Sequence, residues 1–240
     1  MTGHAPQVKS SGPRTVLEVG GLTIMAFLIA ILAGAVFVVP LLVLGYDIQT
    51  TVVLVGSTAA SQLGMFALAV WYRTRRRVSI PLSRPSRAQL GYVVGGVLGA
   101  LIAAIGLSLV LDALGLLPSS VISDVVTANP TYLLGLAVLS VVLVAPVEEF
   151  VFRGVIQGRL RQQFGPLTAI LGASVLFGSM HLANYTGQFR AVLAGALLIA
   201  SVGAIFGAIY ERTQNLLVPI LVHGGYNVVL LLSSYLAQGV

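Results

Sequence analysis

Residues 19–44 read VGGLTIMAFLIAILAGAVFVVPLLVL, a run without a single charged side chain. A helix needs about 20 consecutive apolar residues to cross the roughly 30 Å hydrocarbon core of a bilayer. Helical hydrogen bonds also satisfy the backbone where no water is available. The run therefore predicts a membrane-spanning helix, and it decides the fold class because similar runs recur along the chain.

Further apolar runs bring the expected number of spanning helices to about seven. The predicted spans are 19–44, 51–72, 90–114, 131–152, 167–182, 190–210 and 216–236. Strands of a membrane barrel would alternate apolar and polar residues, and no such alternation occurs. We expect an all-α polytopic bundle, with residues 1–18 as an N-terminal cytoplasmic tail and residues 19–240 as one membrane-embedded domain. The first run is too long for a signal peptide, which favours an uncleaved helix.

The composition supports a membrane protein and excludes several other classes. Hydrophobic residues make up 57% of the chain and charged residues 8%, against about 25% charged in soluble domains. The net charge of +6 comes from arginines beside apolar runs, so it indicates orientation in the membrane and not a nucleic-acid partner. The absence of cysteine excludes disulfides and leaves the redox compartment open. The preference for arginine over lysine favours a prokaryotic cell membrane as the location.

The distribution of charge predicts which loops are cytoplasmic. Segment 73–87 carries six arginines and no acid, whereas segment 114–130 carries Asp124 and no basic residue. Cytoplasmic loops are enriched in Lys and Arg. We therefore expect segment 73–87 and the N-terminus, with Lys9 and Arg14, to be cytoplasmic.

A few polar side chains lie within the predicted spans. Glu148 and Glu149 are adjacent in the sequence APVEEFVFRG, and His181 and His223 lie within apolar runs. Asn227 follows His223 by four residues, a spacing that places both on one helix face. Ionisable groups at membrane depth are costly and indicate function by default. A structural interpretation stays open, in which the histidines are packing residues.

A second structural interpretation concerns Glu149, because Arg153 follows it by four residues and the two can form an ion pair. Glu148 then remains as a carboxylate without a local partner. The turn residues Phe164-Gly165-Pro166 lie midway between Glu148 and His181, so a helical hairpin brings these two to the same level. Each would lie about 22–25 Å from the turn. We expect a polar cavity about 10 Å below the cytoplasmic surface and a fourth helix that continues beyond Phe152.

This set of groups suits the hydrolysis of a peptide bond. A carboxylate and an imidazole can activate one water molecule as general base and then proton donor, and a second His with Asn can stabilise an oxyanion. Zinc is the alternative, with Glu148, His181 and His223 as ligands and no thiolate. The sequence contains no HExxH motif and Asn is a poor zinc ligand, so metal-free hydrolysis is favoured and zinc stays open.

At these residues the sequence resembles the family of CAAX prenyl proteases and bacteriocin-processing proteases, also called the Abi family. That family has three motifs: adjacent Glu residues with Arg four beyond the second, Phe followed four later by His, and His followed four later by Asn or Asp. Residues 144–229 contain all three in order, as Glu148-Glu149 with Arg153, Phe177 with His181, and His223 with Asn227.

The resemblance implies an intramembrane endopeptidase that acts from the cytoplasmic side on a membrane-associated, lipidated or prenylated peptide. It implies that Glu148 and His181 activate the water molecule and that His223 and Asn227 form the oxyanion site. Glu149, Arg153 and Phe177 would support the site or contact substrate. The family has been described both as glutamate proteases and as metalloproteases, so zinc remains an alternative.

Two other functions stay open on the residues alone. Glu148, His181 and His223 are the groups that a proton-coupled transporter would use as a relay, although no paired repeat with broken helices is present. The chain is alternatively a catalytically silent membrane scaffold or immunity protein. The oligomeric state is not determined by the sequence.

Overall fold

The computed structural model describes residues 11–239, and seven helices within that range are long and apolar enough to cross a membrane. This confirms the predicted all-α polytopic fold. In chain order the elements are α1 (Gly12–Val43), α2 (Thr51–Arg76), α3 (Arg87–Ala113), β1 (Ser119–Ser120), α4 (Ser123–Ala128), α5 (Thr131–Arg161), α6 (Pro166–Met180), β2 (Tyr185–Thr186), α7 (Phe189–Thr213) and α8 (Leu217–Leu236). All except β1, α4 and β2 are spanning helices.

The first helix begins earlier than its apolar run. Pro13 lies at the start of α1, where a missing N–H costs nothing because the first amides of a helix have no intrahelical acceptor. The helix therefore includes residues 12–18, which the sequence assigned to a tail. Lys9 and the rest of residues 1–10 lie outside the described range.

Helix α5 continues past Phe152 to Arg161, as expected, but it is not a uniform α-helix. Residues Ser140–Val144 and Phe150–Gln157 form π-helical turns on either side of Ala145–Glu149. Pro146 cannot donate a backbone hydrogen bond, and wider turns of this kind are common at functional sites. The two adjacent glutamates therefore lie in a short α-helical segment between two widened turns.

The helices pack into two groups that meet in the middle of the bundle. Helix α1 packs on α2, both contact α5, and α1 also contacts α6, whereas α3, α7 and α8 form the second group. Phe177 of α6 belongs to the first buried cluster and Phe206 of α7 to the second. The buried residues Glu149, Arg153 and His223 lie where these two clusters face each other.

The two ends of the bundle differ in charge. Among residues 11–239 every arginine except Arg153 and Arg190 lies at the end formed by segment 73–87, the 161–166 turn and the C-terminus of α7. We call this the arginine-rich end. The opposite end, here the loop end, carries residues 114–130 and 181–188. There β1 and β2 form a short antiparallel pair that joins the two loops, with Ser119 opposite Thr186.

Glycines four residues apart, as at Gly203 and Gly207 and at Gly91 and Gly95, predict close helix packing. At Gly203 an added Cβ would lie 2.8 Å from Phe177, and at Gly207 it would lie 2.9 Å from Gln157, which confirms that this pair packs closely. The expectation was wrong for Gly91 and Gly95, where a Cβ would meet nothing within 4 Å. These two positions lie on the outer surface of α3, because packing is determined by how a helix is rotated and not by glycine spacing.

Adjacent glycines in α3 provide a matched test of this packing. A Cβ at Gly96 would lie 2.6 Å from Ile209 and 2.9 Å from Val222, whereas one at Gly95 meets nothing within 4 Å. Gly96→Val is expected to lower the free energy of unfolding by about 1–3 kcal/mol through overpacking. Gly95→Val has the same effect on helix propensity and should be close to neutral. The measurement is SDS titration of each variant in detergent micelles, and equal losses would contradict the helix rotation described here.

Candidate active site

Three buried side chains form the centre of the site. Glu149 accepts a hydrogen bond from His223 Nδ1 at 2.9 Å, and its second oxygen lies 3.3 Å from Arg153 Nε. Glu149 and Arg153 are both fully buried, and charges without water are retained only when they are paired. The predicted Glu149–Arg153 ion pair is therefore present, and it also holds a histidine from α8.

Aromatic rings enclose the buried arginine. Its guanidinium carbon lies 4.6 Å from the ring centre of Phe177 and 5.6 Å from that of Phe206, within the range for cation–π attraction. Arg153 Nη2 also donates to the Gly203 carbonyl at 2.7 Å. His223 stacks on Phe206 with a centroid distance of 4.9 Å. The arginine and His223 are thus fixed between α6, α7 and α8.

Glu148 lies beside this centre and is held by a residue from another helix. Gln62 of α2 donates from Nε2 to Glu148 Oε1 at 2.9 Å. The second carboxylate oxygen is 3.9 Å from His223 Nε2, too far for a direct hydrogen bond. Glu148 is only partly buried, so its second oxygen is available to another group.

His181 occupies the end of α6 and has a defined tautomer. Its Nδ1 lies 2.8 Å from the Phe177 carbonyl, and a carbonyl can only accept, so Nδ1 carries the hydrogen. In the neutral ring Nε2 therefore has a free lone pair. His181 is half-buried. It is placed to accept a proton through Nε2.

Asn227 lies one turn beyond His223 on α8, as the spacing predicted. It donates through Nδ2 to Ser140 Oγ at 2.8 Å. A carboxamide nitrogen carries two hydrogens, so one remains for a second acceptor. Ser140 lies in the first π-helical turn of α5, which links the orientation of Asn227 to the helix that carries Glu148.

Two cavities border the site, and His181 lines both of them. The large cavity, about 630 Å³, lies between α3, α7 and α8 and reaches His223 and Asn227. The small cavity, about 410 Å³, lies among α1, α2 and α5 and reaches Glu148. The structure thus brings Glu148 and His181 to one space, and His181, His223 and Asn227 to the other.

Both cavities extend toward the loop end of the bundle. The large one is lined there by Asp112 and Pro118, and the small one by Ser120 and Asn184. The sequence predicted a cavity near the arginine-rich, cytoplasmic end. His223 does lie six residues into α8, about 9 Å from its start, but the open space is on the other side of it. The predicted direction of the cavity therefore differs from the observed one.

No metal-binding cluster is arranged within residues 11–239: no group of three or more His, Asp or Glu side chains there has a spacing that could hold a metal ion. Glu148, His181 and His223, the alternative zinc ligands, each use one atom to contact Gln62, the Phe177 carbonyl and Glu149 respectively. The zinc alternative therefore has no preformed cluster among the described residues, and no step below depends on zinc.

Four contributing residues were not identified from the sequence. Gln62 and Ser140 contact site residues directly, Phe206 stacks on His223, and Gln157 donates to the Gly207 carbonyl at 3.1 Å. A signal existed for Gln62 and Gln157, because polar side chains within membrane helices usually have a partner. Ser140 and Phe206 had none, since both residue types are common in apolar helices.

A buried centre of carboxylate, histidine and arginine therefore adjoins two cavities between the spanning helices. Residues 130–229 match the family model described as "Type II CAAX prenyl endopeptidase Rce1-like". That region contains all three motifs and begins just before α5.

One curated relative is similar to part of the chain. The chain is 32% identical over 102 residues to the Bacillus subtilis (strain 168) protein named "Putative membrane peptidase YdiL". The alignment covers 42% of this chain and 36% of that protein, so the chain spans about a third of the relative's length. No solved structure matches the chain significantly. The protein is thus a multi-pass membrane protein, and its residues 130–229 are similar to a family of prenyl endopeptidases.

Proposed function

We propose that this chain is an intramembrane endopeptidase in which Glu148 and His181 activate water and His223 and Asn227 stabilise the oxyanion. The observation that carries the proposal is that these groups border two cavities that share His181. Each has a free atom for that space: Glu148 Oε2, His181 Nε2, His223 Nε2 and one hydrogen of Asn227. The family match supports the same reaction.

The reaction can be written with these atoms alone. The water donates one hydrogen bond to His181 Nε2 and gives its other proton to Glu148, and the resulting hydroxide adds to the carbon of the scissile carbonyl. Asn227 Nδ2 donates to the oxyanion that forms, and His223 Nε2 does the same when the ring is protonated at that nitrogen. The proton held by Glu148 then moves to the nitrogen of the leaving amine as the C–N bond breaks. The products are a carboxylic acid and an amine.

The remaining motif residues hold the reacting groups in place. Glu149 fixes the ring of His223 through Nδ1, so that Nε2 faces Glu148. Arg153 neutralises Glu149, and the carbonyl of Phe177 sets the tautomer of His181. We assign Glu149, Arg153 and Phe177 positioning roles, since their contacts are with the proposed catalytic side chains.

The proposed substrate is a membrane-associated peptide or protein. The large cavity has walls of mostly apolar side chains, including Leu198, Val202 and Leu230. A cavity of this size and chemistry suits an apolar side chain or a lipid attached to the peptide. A prenylated CAAX-like substrate is therefore part of the proposal, and its support is the description of the matched family.

We also propose that hydrolysis needs no metal cofactor. The support is that no group of three or more His, Asp or Glu side chains within residues 11–239 is spaced to hold a metal ion. The expected result is full peptide cleavage after exhaustive dialysis against a chelator, with no stoichiometric zinc by elemental analysis. Activity that is lost on chelation and restored by zinc would overturn this part.

The experiment that tests the activity uses detergent-purified protein and a panel of quenched peptides, prenylated and unmodified. We expect cleavage of at least one peptide by the wild-type chain and its loss in His181→Ala. Arg190→Met, which changes an exposed residue that lines neither cavity, is the matched control and should retain the rate. Cleavage that survives both His181→Ala and Glu148→Ala would overturn the assignment.

Asn227 gives a separate prediction about the oxyanion site. Asn227→Leu keeps the size of the side chain but removes its donor, and kcat should fall by about 10²- to 10³-fold, as for other oxyanion donors. Ser140→Ala removes only the group that orients Asn227 and should cause a smaller loss. Steady-state rates on one peptide provide the comparison, and an equal or larger effect of Ser140→Ala would contradict the assigned roles.

A further inference from the structure

A groove lies on the outer surface of the bundle between α1 and α2, at the arginine-rich end. Its volume is about 510 Å³, and its lining residues belong to neither cavity of the candidate active site. We propose that this groove binds an anionic phospholipid, with the phosphate against Arg75 and Arg76 and the start of an acyl chain along α1. The inference concerns a lipid ligand and does not depend on the proposed peptidase activity.

The groove lies at the depth of the lipid headgroups. The uncharged run of α1 begins at Val19 and that of α2 ends at Tyr72, so Arg75 and Arg76 lie just beyond the hydrocarbon core. Trp and Tyr are enriched at this level of a bilayer, and Trp71 and Tyr72 both line the groove. The position of the groove therefore matches that of a lipid phosphate and its glycerol.

The inner part of the groove is apolar and open. Leu17 and Met25 of α1 are exposed beside the buried Leu22. Gly21 lies between them in the groove, and a Cβ at this position would meet nothing within 4 Å. Met25 lies about 10 Å further along the helix than Glu18. The groove thus leads from the arginines toward the bilayer centre, the direction in which an acyl chain leaves its headgroup.

The outer part of the groove carries an excess of positive charge. Glu18 is the one carboxylate among the described residues that line it. This carboxylate accepts from Tyr72 Oη at 2.8 Å and from Arg159 Nη2 at 3.0 Å, and it also pairs with the half-exposed Arg76. Two arginines therefore already compensate Glu18, and Arg75 adds a further positive charge.

Arg75 is the arginine of the groove that is free to bind an anion. Its guanidinium carbon lies 5.7 Å from the ring centre of Trp71, within the range for cation–π attraction. Among residues 11–239 no carboxylate lies within ion-pair distance of this side chain. Guanidinium groups bind phosphate through paired hydrogen bonds, and basic pockets between spanning helices bind anionic headgroups. Arg75 is therefore placed to bind the lipid phosphate.

The same charges predict which lipid is preferred. The ammonium group of phosphatidylcholine would meet arginines in this groove, because Glu18 already has three donors. Phosphatidylglycerol carries the phosphate without a cation. One basic residue near an anionic lipid surface corresponds to about a fivefold preference. We therefore expect phosphatidylglycerol to be preferred over phosphatidylcholine by at least about fivefold.

The test uses the fluorescence of Trp71, because this is the only tryptophan in the chain and it lines the groove. The protein is reconstituted in phosphatidylcholine vesicles that contain increasing fractions of phosphatidylglycerol or phosphatidylcholine brominated on the acyl chains. We expect half-maximal quenching at an at least about fivefold lower fraction of the brominated phosphatidylglycerol. Equal quenching by the two lipids would indicate ordinary contact with surrounding lipid and would overturn the proposal.

A first pair of variants tests the charge. Arg75→Gln should remove most of the preference for phosphatidylglycerol. Arg84→Gln removes an exposed arginine at the same end that does not line the groove, and it should keep the preference. Equal losses in the two variants would show a general attraction of anionic lipid to the arginine-rich end, and this result would overturn a defined site.

A second pair tests the shape of the groove. Gly21→Leu fills the groove without changing its charge and should weaken quenching by brominated phosphatidylglycerol. Gly20→Leu is the matched control, since a Cβ at Gly20 also meets nothing within 4 Å but this residue does not line the groove. A preference that survives in both Gly21→Leu and Arg75→Gln overturns the proposal.

A last measurement separates a lipid from a soluble anion. Glycerol 3-phosphate carries the phosphate without acyl chains, and it should not relieve the quenching of Trp71 by brominated phosphatidylglycerol. Relief at millimolar concentrations would assign the groove to a soluble phosphate compound and overturn its assignment to lipid. Peptide cleavage is not a readout in any of these measurements, so their outcome is independent of the proposed function.

Discussion

Glu148→Gln is expected to reduce kcat for peptide cleavage by about 10²- to 10⁴-fold, the contribution typical of a positioned general base. The substitution keeps the size of the side chain, and its carbonyl oxygen can still accept the hydrogen bond from Gln62. What is lost is the carboxylate oxygen that faces His223 Nε2 at 3.9 Å. The measurement is the steady-state rate on the quenched peptide that the wild-type chain cleaves.

The control for this experiment is another carboxylate. Asp124 is exposed on the short helix α4 and lies outside both cavities, so Asp124→Asn should leave the rate unchanged. The unfolding transition of Glu148→Gln should match that of the wild type, because the native contact is kept. A Glu148→Gln variant with more than a tenth of the wild-type rate would show that another group takes the proton.

Arg153→Met is expected to lower the free energy of unfolding by about 3 kcal/mol, the low end of the range for breaking a buried ion pair. Removing the arginine leaves Glu149 buried without its cation, and the Gly203 carbonyl loses its donor. The loss is not larger because His223 still donates to Glu149. The measurement is SDS titration of the variant in detergent micelles.

A double variant distinguishes a lost charge pair from lost packing. In Glu149→Gln/Arg153→Met the buried charge is gone, and the carboxamide oxygen introduced at position 149 can still accept from His223, so most of the stability should return. Arg190→Met, which removes an exposed arginine at the start of α7, should have no measurable effect. If the double variant is as unstable as Arg153→Met, packing of the arginine between the two phenylalanines is the main contribution.

Much of the fold could be predicted because hydropathy is a local property. Each spanning helix contains enough apolar residues to be found without knowledge of its neighbours, and the expected spans agree with α2, α3 and α7 to within a few residues. The length of α5 was also predictable, because a hairpin that places Glu148 level with His181 requires the helix to continue beyond Phe152. Its π-helical turns were not, since they arise from how the helix around Pro146 packs between α2 and α8.

Part of the site was predictable for a similar reason. The i, i+4 pairs Glu149–Arg153 and His223–Asn227 lie on single helices, so their spacing fixes their mutual position. The contact between His223 and Glu149 joins α8 to α5 across 74 residues, and nothing local specifies it. The partners Gln62 and Ser140 belong to helices whose rotation about their own axes is set by packing, and the sequence does not define that rotation.

By itself the sequence determined that this protein is a helical membrane protein with its few buried charges in three late helices. Those conclusions follow from the cost of placing polar groups in lipid, a cost that each segment carries on its own. The tertiary structure alone decided which carboxylate pairs with which histidine and on which side of the site space remains. Space is left where helices diverge, and divergence depends on the packing of all of them together.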